Sequence, residues 1–311
     1  MAKPVIGLAL GSGAARGFAH IGVLEALEEE GIRPDIVAGC SIGAFVGAAH
    51  LKGRLDKLSE WAEALTWRDV VRLLDISLSG GGLFAGELIE RLMTELGIDG
   101  DIEDFDRPFA AIATDYVTGR EEWLREGAVG KAVRASISLP GILAPVELDG
   151  DWYVDGGLVN PVPVSACRAL GANFIIAVNL NGDLVGRRRA PQRPDRNDAW
   201  HEELVEQAIA VLPAAWRQGA SQAVRDFLAA EPPKPAYFDV LANSINIMQD
   251  RITRSRLAGE PPHVMIAPRL AALGPFDFDQ ARLAIEEGRE RTREALPEIR
   301  RGLAAGGHGP N

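Results

Sequence analysis

Gly39-Cys40-Ser41-Ile42-Gly43 is the stretch of sequence around which the chain is organised. Residues 36–38 before it have the pattern of a short buried strand, and residues 44–49 after it predict a mostly buried helix. A strand, a sharp Gly-x-Ser-x-Gly turn and a helix would expose the hydroxyl of Ser41 as a candidate nucleophile. Glycine occupies 34 of the 311 positions, so the motif alone could also mark a tight structural turn.

The composition is that of a folded and soluble chain, with 47% hydrophobic and 25% charged residues. No run approaches the roughly 18 apolar residues of a membrane span, and the apolar run 5–10 is too short for a secretory signal. We therefore expect no transmembrane helix and a cytoplasmic location. The net charge of −11 argues against nucleic acid as a partner, and it limits any peripheral contact with the inner face of the membrane to a local one. The two cysteines, Cys40 and Cys167, predict neither a disulfide framework nor a zinc site.

A glycine-rich loop lies upstream of the Ser41 turn. Residues 5–10 have a buried-strand pattern, Gly11-Ser12-Gly13-Ala14-Ala15-Arg16-Gly17 follows, and a helix is predicted to run to about residue 30 and to end at Gly31. Unpaired N–H groups in such a loop suit a phosphate or a developing oxyanion. Because a right-handed crossover brings the loops after parallel strands to one sheet edge, we expect this loop beside Ser41.

The rest of the predicted core ends in a second polar site. The pattern predicts strands at 109–114, 120–124 and 174–178, a hairpin of 145–148 with 152–154, and helices at 131–136 and from 163 to about 170. The hairpin ends in Asp155-Gly156-Gly157, where two glycines permit close approach to a carboxylate that could act as a base. We assign residues 1–181 to an α/β core.

The composition changes after residue 181. Residues 182–198 hold five arginines and two prolines and predict a solvated linker or, less often, a phosphate or lipid-headgroup site. Residues 199–311 predict a helical extension packed on the core, with helices at 199–229, 237–257 and 279–304, the last interrupted by Pro297, and an edge strand at 263–267. The helices after residue 199, with Trp200, Trp216 and Phe227, could support a homodimer or dock on a membrane. Residues 77–84 predict either a plain loop or a mobile lid over an apolar substrate.

The five histidines offer no well-placed base for a Ser-His-Asp arrangement. His50 and His201 are predicted on helix surfaces, and His308 lies in a glycine-rich tail. His20 follows the glycine loop by one helical turn, and we interpret it as a packed or capping residue.

Four motifs in this order resemble the patatin-like phospholipases: Gly11 to Gly17, Gly39 to Gly43, Ala135-Ser136-Ile137-Ser138-Leu139-Pro140, and Asp155-Gly156-Gly157. The bacterial single-domain branch is the most similar, since its Arg-Gly-x-x-His-Ile-Gly-Val-Leu continuation is present at residues 16–24. The resemblance covers residues 5 to about 180. It implies a three-layer α/β/α fold with a mostly parallel central sheet, no cofactor or metal, and a lipid or acyl-ester substrate.

The resemblance also implies a Ser-Asp dyad that works without histidine. Ser41 would attack an ester carbonyl, Asp155 would accept its proton, and backbone N–H groups around Ser12, Gly13 and Ala14 would bind the oxyanion. The supporting positions of the motifs are Gly11, Arg16, Gly17, Gly39, Gly43, Gly156 and Gly157. An aspartate near its reference pKa of about 3.9 is a weak base, so desolvation or direct hydrogen bonding must assist.

Ser12 and Ala14 depart from the family's run of glycines, and a left-handed conformation is costlier for them. Ser136 and Pro140 could shape the pocket or end a helix. Two other functions stay open. A dinucleotide-binding protein would use Gly11-x-Gly13-x-x-x-Gly17 but would leave Ser41 and Asp155 without a role. A regulatory protein could keep the fold and bind acyl lipids with little catalysis.

Overall fold

A computed structural model describes residues 3–73, 85–184 and 237–306. The predicted lid at 77–84, almost all of the arginine-rich linker and the predicted helix at 199–229 lie outside the described residues, as do His201 and His308.

A mixed sheet of eight strands forms the centre of the described fold. The strands are β1 Ile6–Leu10, β2 Ile36–Cys40, β3 Phe109–Asp115, β4 Glu121–Leu124, β5 Val146–Leu148, β6 Asp151–Asp155, β7 Phe174–Val178 and β8 Val264–Ile266. Their order is β5-β6-β3-β2-β1-β7-β8, and β4 also pairs with β3. The five strands from β3 to β8 in this order are parallel, whereas β4, β5 and β6 join by antiparallel pairing. The sheet is therefore mostly parallel, as predicted.

Helices cover both faces of this sheet. They are α1 Ala19–Glu29, α2 Ile42–Leu51, α3 Leu55–Ala64, α4 Trp67–Leu73, α5 Glu87–Glu95, α6 Val129–Ser136, α7 Val164–Ala169, α8 Tyr237–Gly259 and α9 Ala281–Ala304. Leu8 and Leu10 belong to the core shared with α1, α2 and α9, whereas the intervening Ala9 belongs to the core shared with α7. The central strands are mostly apolar because they are buried on both faces. The predicted three-layer α/β/α fold is confirmed.

The C-terminal part of the described chain adds to both the sheet and a helical layer. β8 pairs with β7 at the sheet edge, as predicted. Ion pairs of Arg289 with Glu25 and of Arg293 with Glu29 join α9 to α1. The prediction that Pro297 interrupts the last helix was wrong: α9 continues through it. Proline removes one backbone hydrogen bond, but the burial of Leu296 and Ile299 on either side holds the helix in place.

No helix within the described ranges is both long and apolar enough to span a bilayer.

Candidate active site

The Ser41 turn is a strained connection between β2 and α2. Ser41 has φ 56° and ψ −126°, a combination that is uncommon for a residue with a side chain. Its N–H donates to Ser136 Oγ at 2.8 Å, and its carbonyl accepts from the N–H of Ala44 at 2.8 Å. These bonds hold the serine between the strand and the helix, so the predicted strand-turn-helix is present.

The register of the sheet brings Asp155 to this turn. Across β3, Cys40 pairs with Ile112 and Asp155 pairs with Ala113. Because β6 runs antiparallel to β3, its last residue lies across β3 from the end of β2. Ser41 Oγ donates to Asp155 Oδ2 at 2.7 Å.

Burial controls the ionisation of Asp155, which is 1% exposed. Desolvation raises the pKa of its carboxyl to about 6, against the opposing effect of hydrogen bonds from Ser41 and from the N–H of Gly157, which donates to Oδ1 at 2.7 Å. The carboxylate is thus a stronger proton acceptor than an ordinary aspartate, while it remains ionised for the most part at neutral pH.

The glycine-rich loop offers two backbone donors. The N–H of Ser12 donates to Pro161 O at 2.9 Å, so the structure removes it from the predicted oxyanion set of Ser12, Gly13 and Ala14. Within the described residues, the N–H groups of Gly13 and Ala14 have no hydrogen-bond partner. Ala14 adopts φ 49°, the left-handed conformation that was expected to be costly for it.

The loop continues as a 3-10 turn, Ala14–Phe18, and α1 begins only at Ala19. The dinucleotide-binding alternative requires a loop that opens directly onto the N-terminus of an α-helix. This loop does not, because the 3-10 turn lies between it and α1.

Close packing explains the supporting glycines. A Cβ added to any of them would lie 2.6 Å or less from another atom; these positions are Gly11, Gly17, Gly39, Gly43, Gly156 and Gly157. At Gly43 the obstacle is Leu10 O, 2.2 Å away, and at Gly17 it is the side chain of Ile42, also 2.2 Å away. Absence of side chains at these two glycines lets the loop after β1 and the turn after β2 touch.

A pocket opens above these groups, and α8 contributes to its wall. Its polar lining comprises the loop residues Ser12, Gly13, Ala14 and Arg16, the pair Ser41 and Asp155, and Asn246 and Gln249 of α8. Apolar residues complete the lining, namely Leu139, Ile142, Leu241, Ile245, Pro275 and Phe276. The combination of a polar region and an apolar wall suits a ligand that carries a polar group on an apolar body.

The sequence analysis singled out Ser136 and Arg16 without their contacts, and it missed Asn181, Asn246 and Gln249. Ser136 Oγ, besides accepting from Ser41, donates to Ile112 O at 2.6 Å and so ties the turn to β3. Arg16 is buried and donates to Asn181 at 3.2 Å and to Asn246 at 3.3 Å. Gln249 accepts from Ser12 Oγ at 3.0 Å. Asn246 and Gln249 stand three residues apart, a spacing that places two polar side chains on one helix face.

His20 and His50 are packed residues. His20 is fully buried, and its Nε2 lies 2.7 Å from Gly11 O, in agreement with the packed interpretation. His50 was predicted on a helix surface, and this was wrong: it is 6% exposed, with Nδ1 3.3 Å from Glu28 Oε1. His50 is buried because the core encloses α2 on nearly all sides. Burial lowers the pKa of both His20 and His50 to about 4.

Comparison with known proteins identifies a family and several relatives. The family model described as Patatin-like phospholipase matches residues 8–168. An uncharacterized NTE family protein of Mycobacterium tuberculosis is 34% identical over 331 aligned positions, which cover 94% of this chain and 92% of that protein. Patatin-like phospholipase domain-containing protein 6 of Homo sapiens is 36% identical over 182 positions, which cover 56% of this chain and 13% of that protein. The structure of VipD from Legionella pneumophila aligns weakly, with a TM-score of 0.46 and 13% identity over 95% of this chain and 67% of that one.

The chain belongs to the patatin-like phospholipase family. This membership places it, at the level of the family, among lipid acyl hydrolases.

Proposed function

We propose that the protein is a serine acyl hydrolase, of the phospholipase, lysophospholipase or carboxylester hydrolase type, that cleaves fatty-acyl esters of lipids through Ser41 and Asp155. The observation that carries the proposal is the 2.7 Å hydrogen bond from Ser41 Oγ to a buried carboxylate. The free N–H groups of Gly13 and Ala14 and the apolar pocket wall support it.

Acylation begins with proton transfer. Asp155 takes the Ser41 proton while Oγ attacks the carbonyl carbon, and the carbonyl oxygen becomes an oxyanion to which Gly13 and Ala14 donate. The tetrahedral intermediate then collapses, the bond to the alcohol oxygen breaks, and the proton on Asp155 passes to that oxygen. The alcohol leaves, and the acyl group remains as an ester of Ser41.

Deacylation repeats the sequence with water. Asp155 accepts a proton from a water molecule that attacks the acyl-enzyme carbonyl, and the same two N–H groups hold the second oxyanion. Collapse breaks the bond to Ser41 Oγ, which regains its proton from Asp155, and the fatty acid departs. A pKa of about 6 for Asp155 suits both proton transfers, because a group whose pKa lies close to the working pH can both accept and release a proton.

The proposal is tested by hydrolysis of p-nitrophenyl acyl esters and of lysophospholipid by purified wild type and by two variants, Ser41→Ala and Asp155→Asn. Both variants should be folded and inactive. Ser59→Ala and Asp99→Asn are matched controls, because they make the same substitutions outside the pocket and should keep full activity. A fully active Ser41→Ala would refute the proposal. Tight binding of acyl lipid without turnover of any ester by wild type would instead favour the regulatory alternative.

A further inference from the structure

The side-chain amide of Gln249 has its orientation fixed by a chain of hydrogen bonds that starts at Arg16. A guanidinium only donates, so Asn181 Oδ1, 3.2 Å from Arg16 Nη1, is the acceptor. The Nδ2 of Asn181 therefore points the other way and donates to Gln249 Oε1 at 3.1 Å. Ser12 Oγ donates to the same oxygen at 3.0 Å. Since Oε1 faces this network, the donor Nε2 of Gln249 faces away from it.

The Nε2 of Gln249 is a hydrogen-bond donor without an acceptor among the described residues. Gln249 is 5% exposed, and its Nε2 has no hydrogen-bond partner in the part of the chain that the structure describes. Gln249 lines the same pocket as Ser41 and Asp155, so a ligand in that pocket is the natural source of an acceptor.

The carboxyl group of Asp155 lies near this donor. A Cβ placed on Gly157 would lie 2.3 Å from Gln249 Nε2 and 2.9 Å from Asp155 Oδ1, so both atoms approach the same point. The alcohol oxygen of an ester must come within reach of Asp155 to receive its proton. Nε2 thus lies near the carboxyl group that returns the proton to the leaving group.

We propose that Gln249 is a substrate-contacting residue, whose Nε2 donates a hydrogen bond to the alcohol oxygen of the bound ester as the bond to that oxygen breaks. This inference rests on the proposed function and assigns a third group to it. Oε1 stays anchored to Ser12 and Asn181 throughout, which keeps the donor in place without further reorganisation.

Two variants separate this contact from a purely structural role of Gln249 in holding the loop. Gln249→Glu keeps an oxygen that can accept from Ser12 and Asn181 but loses the donor, and Gln249→Met keeps the length and loses both. Gln280→Glu is the control, because it makes the same charge change on a residue outside the pocket. Melting temperatures establish which variants fold, and either folded variant is sufficient for the test.

The readout is kcat/KM for two esters of one short-chain acid, an ethyl ester and a p-nitrophenyl ester. Rates are compared on the alkaline plateau of the pH profile, so that a shifted Asp155 pKa does not affect the comparison. A poor leaving group needs the donor and a good one does not, so each variant should lose about 30-fold on the ethyl ester. On the p-nitrophenyl ester the loss should be about tenfold smaller, whereas a disturbed loop would slow both esters equally.

Each outcome decides a different statement. A selective loss on the ethyl ester in either variant, with Gln280→Glu unchanged, supports the contact. Equal losses on both esters, or a Gln249→Glu enzyme with wild-type rates on both, overturn the contact and leave the Ser41 mechanism standing. If wild type shows no turnover that depends on Ser41, the proposed function fails and the inference fails with it.

Discussion

The loop after β1 and the turn after β2 follow neighbouring parallel strands and touch each other, yet they serve the site differently. Each contains a residue with a side chain at positive φ, Ala14 at 49° and Ser41 at 56°. The turn presents a side chain, the hydroxyl that bonds to Asp155. The loop presents backbone N–H groups. The difference implies that chemical identity matters in the turn, whereas conformation matters in the loop.

The same serine-to-alanine substitution should lower kcat/KM far more in the turn than in the loop. Ser41→Ala removes the hydroxyl and should lower kcat/KM by about 10⁴-fold or more. Ser12→Ala removes only a bond to Gln249 and leaves the loop backbone in place, so the loss should stay below about tenfold. Ester hydrolysis by the two variants, measured side by side, checks the contrast. Comparable losses in both would show that the loop acts through a side chain.

A substitution that pushes the loop and the turn apart should lower both stability and activity. A Cβ at Gly43 would collide with Leu10 O, and Gly43→Ala should therefore destabilise the fold by about 3 kcal/mol and abolish most activity. Gly130→Ala is the matched control, since nothing lies within 4 Å of its added Cβ. Urea unfolding measures both variants. A Gly43→Ala protein as stable and active as wild type would mean that the contact between the segments is dispensable.

The buried carboxylate of Asp155, which bonds to Ser41 in the turn, destabilises the fold when it is ionised. Its pKa is about 6 in the folded protein against 3.8 for an unperturbed carboxyl, so stability that is present below about pH 4 is lost as the pH rises through 6. Asp155→Asn, which cannot ionise, should therefore be about 2–3 kcal/mol more stable than wild type at pH 8. The advantage should vanish at pH 4. Urea unfolding at both pH values tests this, and an advantage that is independent of pH would contradict it.

The smallest effect is expected where only the backbone of the loop is altered. Ala14→Gly relieves the left-handed strain at the expense of chain entropy, for a net gain of about 0.5 kcal/mol and activity within about threefold of wild type. Ala14→Val places a β-branched residue at positive φ and should lower kcat/KM about tenfold. Thermal melts and ester hydrolysis of both variants provide the measurements. Equal activity of the two variants would argue against conformational control of the loop.

Local pattern was sufficient to predict the central strands and the order of the motifs. The strands that lead to Ser41 and to the glycine loop are short runs without charged residues, each followed by a glycine-containing turn, which leaves few alternatives. The burial of His50 and the continuation of α9 through Pro297 were not predictable, because both depend on helices packed from distant parts of the chain.

The same limit applies to the site. The Ser41 turn and Asp155 carry local motifs, and the sheet register that joins them follows from strand pairing. Gln249 lies 237 residues from its partner Ser12, so no local spacing announces the bond between them. The engagement of the Ser12 N–H by Pro161 is a tertiary contact of the same kind.

The most direct test of the Ser41 mechanism is intact-mass spectrometry after incubation with a fluorophosphonate, which reacts with an activated serine. Wild type should gain the mass of one adduct, and Ser41→Ala should gain none. Asp155→Asn should label far more slowly, because its serine has lost the base. Absence of an adduct in folded wild type, or persistence of the adduct in Ser41→Ala, would contradict the mechanism.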